Sequence, residues 1–217
     1  MEKETLSLPR LNEPAPSFEA NTTHGRKKLE DYRGRWLVLF SHPADFTPVC
    51  TTEFVGFAKH YDAFQELGAD LLGLSIDSTH SHLAWVHAIK ERLGIEIPFP
   101  IIDDVSMRVS NAFGMVHPGA NDTAAVRTTF LIDPEGILRA MLYYPMEAGR
   151  SVPEILRLLR ALQTADAHSV ALPESWNPGD RVLLGAPKTP EDIQKRAEDE
   201  SLDCKDWYLC YKDLDVA

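Results

Sequence analysis

Between Trp36 and Gln163 the chain alternates short, unbroken apolar runs with longer stretches whose apolar residues recur at spacings of three and four. The run Trp36–Phe40, "WLVLF", has no polar position, the pattern of a central strand buried on both faces. From Thr51 onward, Phe54, Phe57, Ala58, Tyr61, Phe64 and Leu67 share one helical face, and Gly68 supplies the stop. "ADLLGLSID", Ala69–Asp77, predicts a second buried strand. A helix follows it, with Ser78 or Thr79 as N-cap and Gly94 as terminator. "FPIIDD" predicts a third strand and "SMRVSNAFGM" a short helix. Arg127–Tyr144 holds two strand-like runs around Asp133-Pro134-Glu135-Gly136, which predicts an antiparallel hairpin. The last periodic stretch places Val152, Ile155, Leu156, Leu159 and Leu162 on one face, with Pro153 tolerated in the first turn.

Parallel strand–helix–strand units followed by a hairpin and a closing helix predict an α/β fold, a mixed sheet flanked by helices. A thioredoxin-like arrangement fits that order. The pattern changes near Ala165, where "LPESWNPGDRVLLGAPKTPEDIQKR" carries four prolines and little periodicity. Residues 1–165 are therefore expected to form the main domain. Residues 166–217 are expected to form a C-terminal extension without a core of its own. Its aromatic tip, Trp207, Tyr208, Leu209 and Tyr211, is expected to dock on another subunit.

Charge narrows the function. A net charge of -11 with no basic cluster argues against nucleic acid and against an anionic membrane surface. The segment "MEKETLSLPRLNEP" has no apolar core of a signal peptide, and no run approaches a membrane span, so a cytoplasmic location is expected. The three cysteines stand at 50, 204 and 210, with neither a CxxC pair nor zinc-ligand spacing. His80, His82 and His87 cluster, but no carboxylate at standard spacing completes a ligand set, so no metal is expected. Gly73-Leu74-Ser75 lacks the second glycine of a nucleophile elbow.

Cys50 stands where the first strand hands over to a helix, between Pro43, Pro48 and the helical run. A thiol in a first helical turn meets unpaired backbone N–H groups and the positive end of the helix dipole, both of which favour the thiolate. Thr47, three residues earlier, offers a hydroxyl. Position alone leaves two readings equally open: an inert buried thiol or a nucleophile.

The surrounding motif separates them. "PADFTPVC" resembles the signature of the peroxiredoxins, and further matches follow in "TTEF", "SIDSTHSHLAW", "FGM" and "RTTFLIDPEG". "GRSVPEILRLLRALQ" and "LPESWNPGD" are similar to the one-cysteine subfamily with its long C-terminal arm. The resemblance covers essentially the whole chain. It implies a thioredoxin-like peroxidase that reduces hydrogen peroxide and organic hydroperoxides without a cofactor. Cys50 is implied as the peroxidatic nucleophile. Thr47 would bond sulfur and peroxide, Pro43 shield the sulfenic acid, Arg127 face the thiolate, and Arg150 act as a second, outer arginine. His42, Phe46, Val49 and Glu53 are implied as pocket-lining or supporting residues, Glu53 by orienting an arginine. The subfamily has no resolving cysteine, yet this chain carries Cys204 and Cys210, which resembles the archaeal-type variant. Cys210, after "DWYL", is favoured as resolver through a disulfide to Cys50 of another chain, with Cys204 as a relay. The resemblance further implies an external dithiol reductant such as a thioredoxin, and homodimers assembling into a decamer. Two other readings stand beside it: a thioredoxin-type thiol–disulfide oxidoreductase, and a chaperone-like assembly.

Overall fold

A computed structural model describes residues 8–199 and 202–214. The chain forms two compact units, Met1–Val152 and Pro153–Ala217. In the first, β1 (Glu19–Thr22) and β2 (Gly25–Lys28) form a hairpin, and a 3-10 turn over Leu29–Tyr32 leads to β3 (Trp36–Ser41). Then come α1 (Pro48–Lys59), α2 (Tyr61–Glu66), β4 (Ala69–Ser75), α3 (Thr79–Leu93), β5 (Ile101–Asp103), α4 (Arg108–Ala112), β6 (Arg127–Ile132) and β7 (Leu138–Tyr144). The sheet order is β2-β1-β5-β4-β3-β6-β7. Strands β3, β4 and β5 are parallel, whereas β6 pairs antiparallel with both β3 and β7. This is the mixed sheet flanked by helices that the apolar pattern predicts.

The central strands β3 and β6 are buried at every position, as two-sided burial requires. One cluster packs Leu37, Leu39, Leu72, Leu74, Ile102, Phe113 and Phe130. Phe40 stacks on Phe57 with ring centroids 4.0 Å apart, and Phe54, Trp85 and Phe99 crowd the same region. The β6–β7 turn is built by Asp133, whose carboxylate accepts from the Glu135 and Ile137 amides. Gly136 turns the chain back at φ +76°.

The helix after β3 departs from its prediction in two ways. It starts at Pro48, three residues earlier, with extended Thr47 in the N-cap position. It also breaks at His60. The His60 ring donates from Nδ1 to the Gly56 carbonyl at 2.8 Å, competing for the acceptor its own amide needs, and its backbone leaves helical space at φ -105°, ψ 9°.

The second unit contains α5 (Val152–His168, starting one residue before the unit), β8 (Val182–Leu183), α6 (Pro190–Glu198), β9 (Asp203–Asp206) and β10 (Leu209–Lys212). The three strands form a small sheet in the order β8-β10-β9. Ala161, Trp176 and Val182 make a compact cluster with Val170, Leu172 and Leu214. The compact unit begins at Pro153 and not at 166, and the apolar residues of 166–217 gather on Ala161 of α5, which lies outside that segment. Strands of two to four residues are too short to show a period, and Pro190, which reads as a breaker, occupies a first-turn position capped by Thr189 accepting from the Asp192 amide.

Candidate active site

The end of β3, the start of α1 and the start of β6 converge on Cys50. Ser41 donates to the Val126 carbonyl at 2.6 Å and accepts from the Thr128 amide at 3.1 Å, pinning the two strand ends together around Arg127. Cys50 is the third residue of α1. Pro48 has no N–H, and helix geometry leaves the Val49 and Cys50 amides without intrahelical acceptors. The thiol is free and fully buried.

Arg127 Nη1 stands 3.3 Å from Cys50 Sγ and 2.8 Å from Glu53 Oε2, while its Nε donates to the Met146 carbonyl at 3.0 Å. Glu53 lies one turn after Cys50 on the same face of α1. Its carboxylate also accepts from the Arg150 amide and from Arg150 Nε and Nη2, each at 2.8 Å. Burial raises the Glu53 pKa, but the Arg150 hydrogen bonds and charge, followed by that of Arg127, outweigh it, and the carboxyl is held below its ordinary value. The expectation of an outer Arg150 is corrected here. Its side chain has no exposed surface, stacks over Phe40 and Phe57, and gives its remaining donors to the Thr128 carbonyl and Thr129 hydroxyl. Its reach toward Cys50 is indirect, through Glu53 and Arg127.

Thr47 donates its hydroxyl to the Ala44 carbonyl at 2.9 Å. That proton is committed, so the oxygen faces its surroundings as an acceptor, not as a donor to sulfur. Pro43 is buried and Val49 half-buried. Phe46 is 61% exposed and adopts φ 55°, a left-handed conformation uncommon for a bulky residue. With Trp85, Ile89 and Leu93 it lines an apolar groove of about 470 Å³ that also touches Thr47 and Pro48.

One constellation escaped sequence reasoning. His42 Nε2 lies 2.8 Å from Asp45, and His82 Nδ1 lies 2.9 Å from the other oxygen of the same carboxylate. Both rings are wholly buried, and the candidate ligand atoms of the three residues lie within 4.8 Å of one another. The set is already joined by hydrogen bonds. Burial opposes ionisation of Asp45, but the two histidine bonds outweigh it and hold the carboxyl well below the usual range. His82 Nε2 faces the Ile102 carbonyl at 3.0 Å, so both of its ring nitrogens are engaged. Burial lowers the His42 pKa, only partly offset by Asp45. His42 therefore donates from Nε2 as a neutral ring, and its Nδ1 has no partner among the described residues. Asp45, three residues after His42, was visible in the motif. Nothing in the sequence ties it to His82, which exposed His80 and His87 do not join.

In the second unit, Cys204 and Cys210 face each other across β9 and β10 and are joined as a disulfide, their Cα atoms 4.0 Å apart.

A thiol in the first turn of a helix on a thioredoxin-type sheet, under an arginine held by a buried carboxylate, defines a cysteine-based peroxidase. Comparison with known proteins gives the family. Residues 11–141 match the AhpC/TSA family, and residues 161–200 match the C-terminal domain of 1-Cys peroxiredoxin. A peroxiredoxin of Aquifex aeolicus is 54% identical over 220 residues, covering 96% of this chain and 99% of that one. One of Methanocaldococcus jannaschii is 48% identical over 218 residues, covering 96% of this chain and all of that one. Among solved structures, the yeast mitochondrial 1-Cys peroxiredoxin superposes with a TM-score of 0.86 at 35% identity, covering 95% of this chain and 100% of that one. Peroxiredoxin 6 of Arenicola marina gives 0.85 at 34%, covering 94% and 98%. The chain belongs to the peroxiredoxin family and is a thiol-dependent peroxidase. Among the described residues, no helix is long and apolar enough to cross a membrane.

Proposed function

We propose that Cys50 is the peroxidatic thiol of a cytoplasmic enzyme that reduces hydrogen peroxide and organic hydroperoxides. The contact that carries this reading is Arg127 Nη1 at 3.3 Å from the sulfur, held by Glu53. Arg127 and Arg150 bring two positive charges against the one negative charge of Glu53, and a Cys50 thiolate balances the difference. Attack on the terminal peroxide oxygen moves charge from sulfur to the leaving oxygen. Arg127, unable to lose its proton, follows that charge as a fixed donor. Thr47, its own proton engaged, accepts the peroxide hydrogen and orients the O–O bond. Pro43 covers the resulting sulfenic acid, His42 and Val49 line the pocket, and Phe46 walls its mouth. Arg150 acts as a positioning residue through Glu53. The step uses no cofactor.

In this reading Cys210 resolves the Cys50 sulfenic acid of a partner subunit, and Cys204 then takes over the disulfide as a relay thiol. The observed Cys204–Cys210 pair supports that last state. An external dithiol resets it; the yeast relative was solved in a study of thiol resolution through the glutathione and thioredoxin systems. Exposed Phe46 and Leu93 along one apolar groove support assembly into homodimers and decamers. The decisive experiment is peroxidase turnover of Cys50→Ser, which is expected to be abolished; full turnover overturns the proposal. The disulfide in β9–β10 also gives some footing to a thiol–disulfide oxidoreductase reading, which insulin reduction by Cys50→Ser protein tests.

A further inference from the structure

A chain of polar contacts ties the segment leaving β4 to the segment that carries Thr47. Strand β4 ends at Ser75, and the Asp77 carboxylate is held by its own turn: Ser75 Oγ donates to Asp77 Oδ2 at 2.7 Å and accepts from the Asp77 amide at 3.0 Å. The same carboxylate oxygen accepts from the Asp45 amide, 32 positions earlier, at 2.9 Å. That amide shares its peptide group with the Ala44 carbonyl, which accepts the Thr47 hydroxyl proton at 2.9 Å. A peptide group is planar and trans, so its N–H and C=O point in opposite directions and fixing one fixes the other. A carboxylate on the N–H also polarises the group and strengthens the carbonyl as an acceptor. Between Asp45 and Thr47 stands Phe46 at φ 55°, a conformation that persists only where its neighbours are held. His42 and His82 hold the Asp45 side chain, and Asp77 holds its backbone.

We infer that Asp77 is a positioning residue for peroxide reduction: through the Ala44–Asp45 peptide it sets the rotamer of the Thr47 hydroxyl and leaves the oxygen free to accept from the substrate. The inference rests on the reading of Thr47 as the acceptor of the peroxide hydrogen. A hydroxyl has one proton to give and rotates to suit its surroundings unless that proton is claimed. With the Ala44 carbonyl fixed, the proton is claimed and a lone pair is left for the peroxide O–H. Without Asp77 the peptide is free to tilt and Phe46 to relax toward an ordinary φ. Thr47 then turns its proton on the peroxide, donor against donor. Among the described residues no hydrogen bond joins Asp77 to Cys50, Glu53 or Arg127, so the thiolate is held independently of it. Loss of Asp77 therefore slows the reaction with peroxide and leaves the intrinsic reactivity of the thiolate in place.

The test sets two electrophiles against Cys50 in the full-length protein. Asp77→Ala is expected to slow oxidation by hydrogen peroxide about tenfold, the scale of one misdirected hydrogen bond, while alkylation by iodoacetamide keeps its rate and its pH profile. Iodoacetamide needs the thiolate but no O–H acceptor, so a general disturbance of the pocket slows both reactions. Asp77→Asn leaves an oxygen for the Asp45 amide and is expected to restore most of the peroxide rate. Should the alanine variant fail to fold, Asp77→Ser, too short to reach the Asp45 amide, carries the same expectation. In a Thr47→Val background, Asp77→Ala is expected to add no further loss. Equal slowing with both electrophiles, an unchanged peroxide rate, or additive losses in the double variant overturns the inference. If Thr47→Val alone slows oxidation and Asp77→Ala does not, the Thr47 reading stands and the role of Asp77 falls. A normal peroxide rate in Thr47→Val ends both.

Discussion

Replacing Glu53 by glutamine tests how the arginines are held. The carboxylate accepts four hydrogen bonds, two on each oxygen: the Arg150 amide and Nε on Oε1, Arg127 Nη1 and Arg150 Nη2 on Oε2. Glutamine offers one oxygen and one NH2 group in the same shape. With its oxygen at the Oε1 position it keeps two bonds and turns two donors against the Arg127 and Arg150 donors; the flipped amide reverses the pairs. Either way two of the four contacts become donor against donor. Two buried guanidiniums also lose the carboxylate they share. Removing one partner of a buried ion pair costs about 3–5 kcal/mol. A domain stable by about 5–15 kcal/mol survives that with a reduced margin. Arg127 stays tethered through Nε to Met146, so its Nη1 end shifts rather than departs, and a misplacement of about 1 Å costs about 100-fold in rate. Urea denaturation is expected to show the lost stability, and stopped-flow oxidation of Cys50 by hydrogen peroxide the lost rate. An unchanged denaturation midpoint refutes the ion-pair reasoning. A normal rate constant in a destabilised variant shows that Met146 alone positions Arg127.

Alkali is expected to destabilise the first unit, because burial pushes Tyr143 up to about 12 from an ordinary 10.0. The unfolded tyrosine ionises first, so stability is intact below about pH 10 and falls as pH rises to 12; Tyr143→Phe should flatten that slope in denaturation midpoints. On the acid side His42 is lowered from 6.5 by burial and Asp45 is lowered from 3.8, so the unfolded chain binds protons first. Stability should fall as pH drops below 6.5 and again below the ordinary carboxylate range, with the second fall reduced in Asp45→Asn. Imidazole nitrogen NMR should show His42 protonated at Nε2 and bare at Nδ1; a proton on Nδ1 contradicts the hydrogen-bond assignment. Gly73→Ala should cost about 1–3 kcal/mol by thermal denaturation, because a Cβ there meets Phe54 Cζ at 3.2 Å in a filled core; an unchanged midpoint refutes that.

The sheet and its helices were legible because they bury long, regular faces. β3, β4 and β6 announce themselves as apolar runs, and Gly94 ends α3 in the left-handed conformation its residue type suggests. Cys50, Glu53 and Arg127 were legible as a motif, although only coordinates show that Glu53 joins the two arginines. What was hidden depends on contacts distant in sequence. His82 meets Asp45 from 37 positions away, and Arg150 turns inward because a carboxylate 97 positions earlier receives it. The strands of the second unit were hidden for the opposite reason: they are too short to carry a period.

The geometry also bears on how the proposed exchange between Cys50 and Cys210 begins. Neither sulfur has exposed surface, and a disulfide requires the two at about 2 Å, so each must leave its place first. The first turn of α1 is built to yield. Pro48 has no amide proton, and the Val49 and Cys50 amides make no intrahelical bond. Releasing Cys50 breaks the two bonds Thr51 makes to the Thr47 carbonyl, the one from the Thr52 hydroxyl to Val49, and the helical bonds that the Pro48, Val49 and Cys50 carbonyls accept from the next turn. Each of these is worth about 1 kcal/mol net. The stronger hold is the charge-assisted bond from Arg127 to a thiolate, and oxidation to a neutral sulfenic acid removes the charge that makes it strong. Under the proposed mechanism, reaction with peroxide loosens the contact that keeps the sulfur buried, and Cys50 would become available to a resolving thiol only after it has reacted.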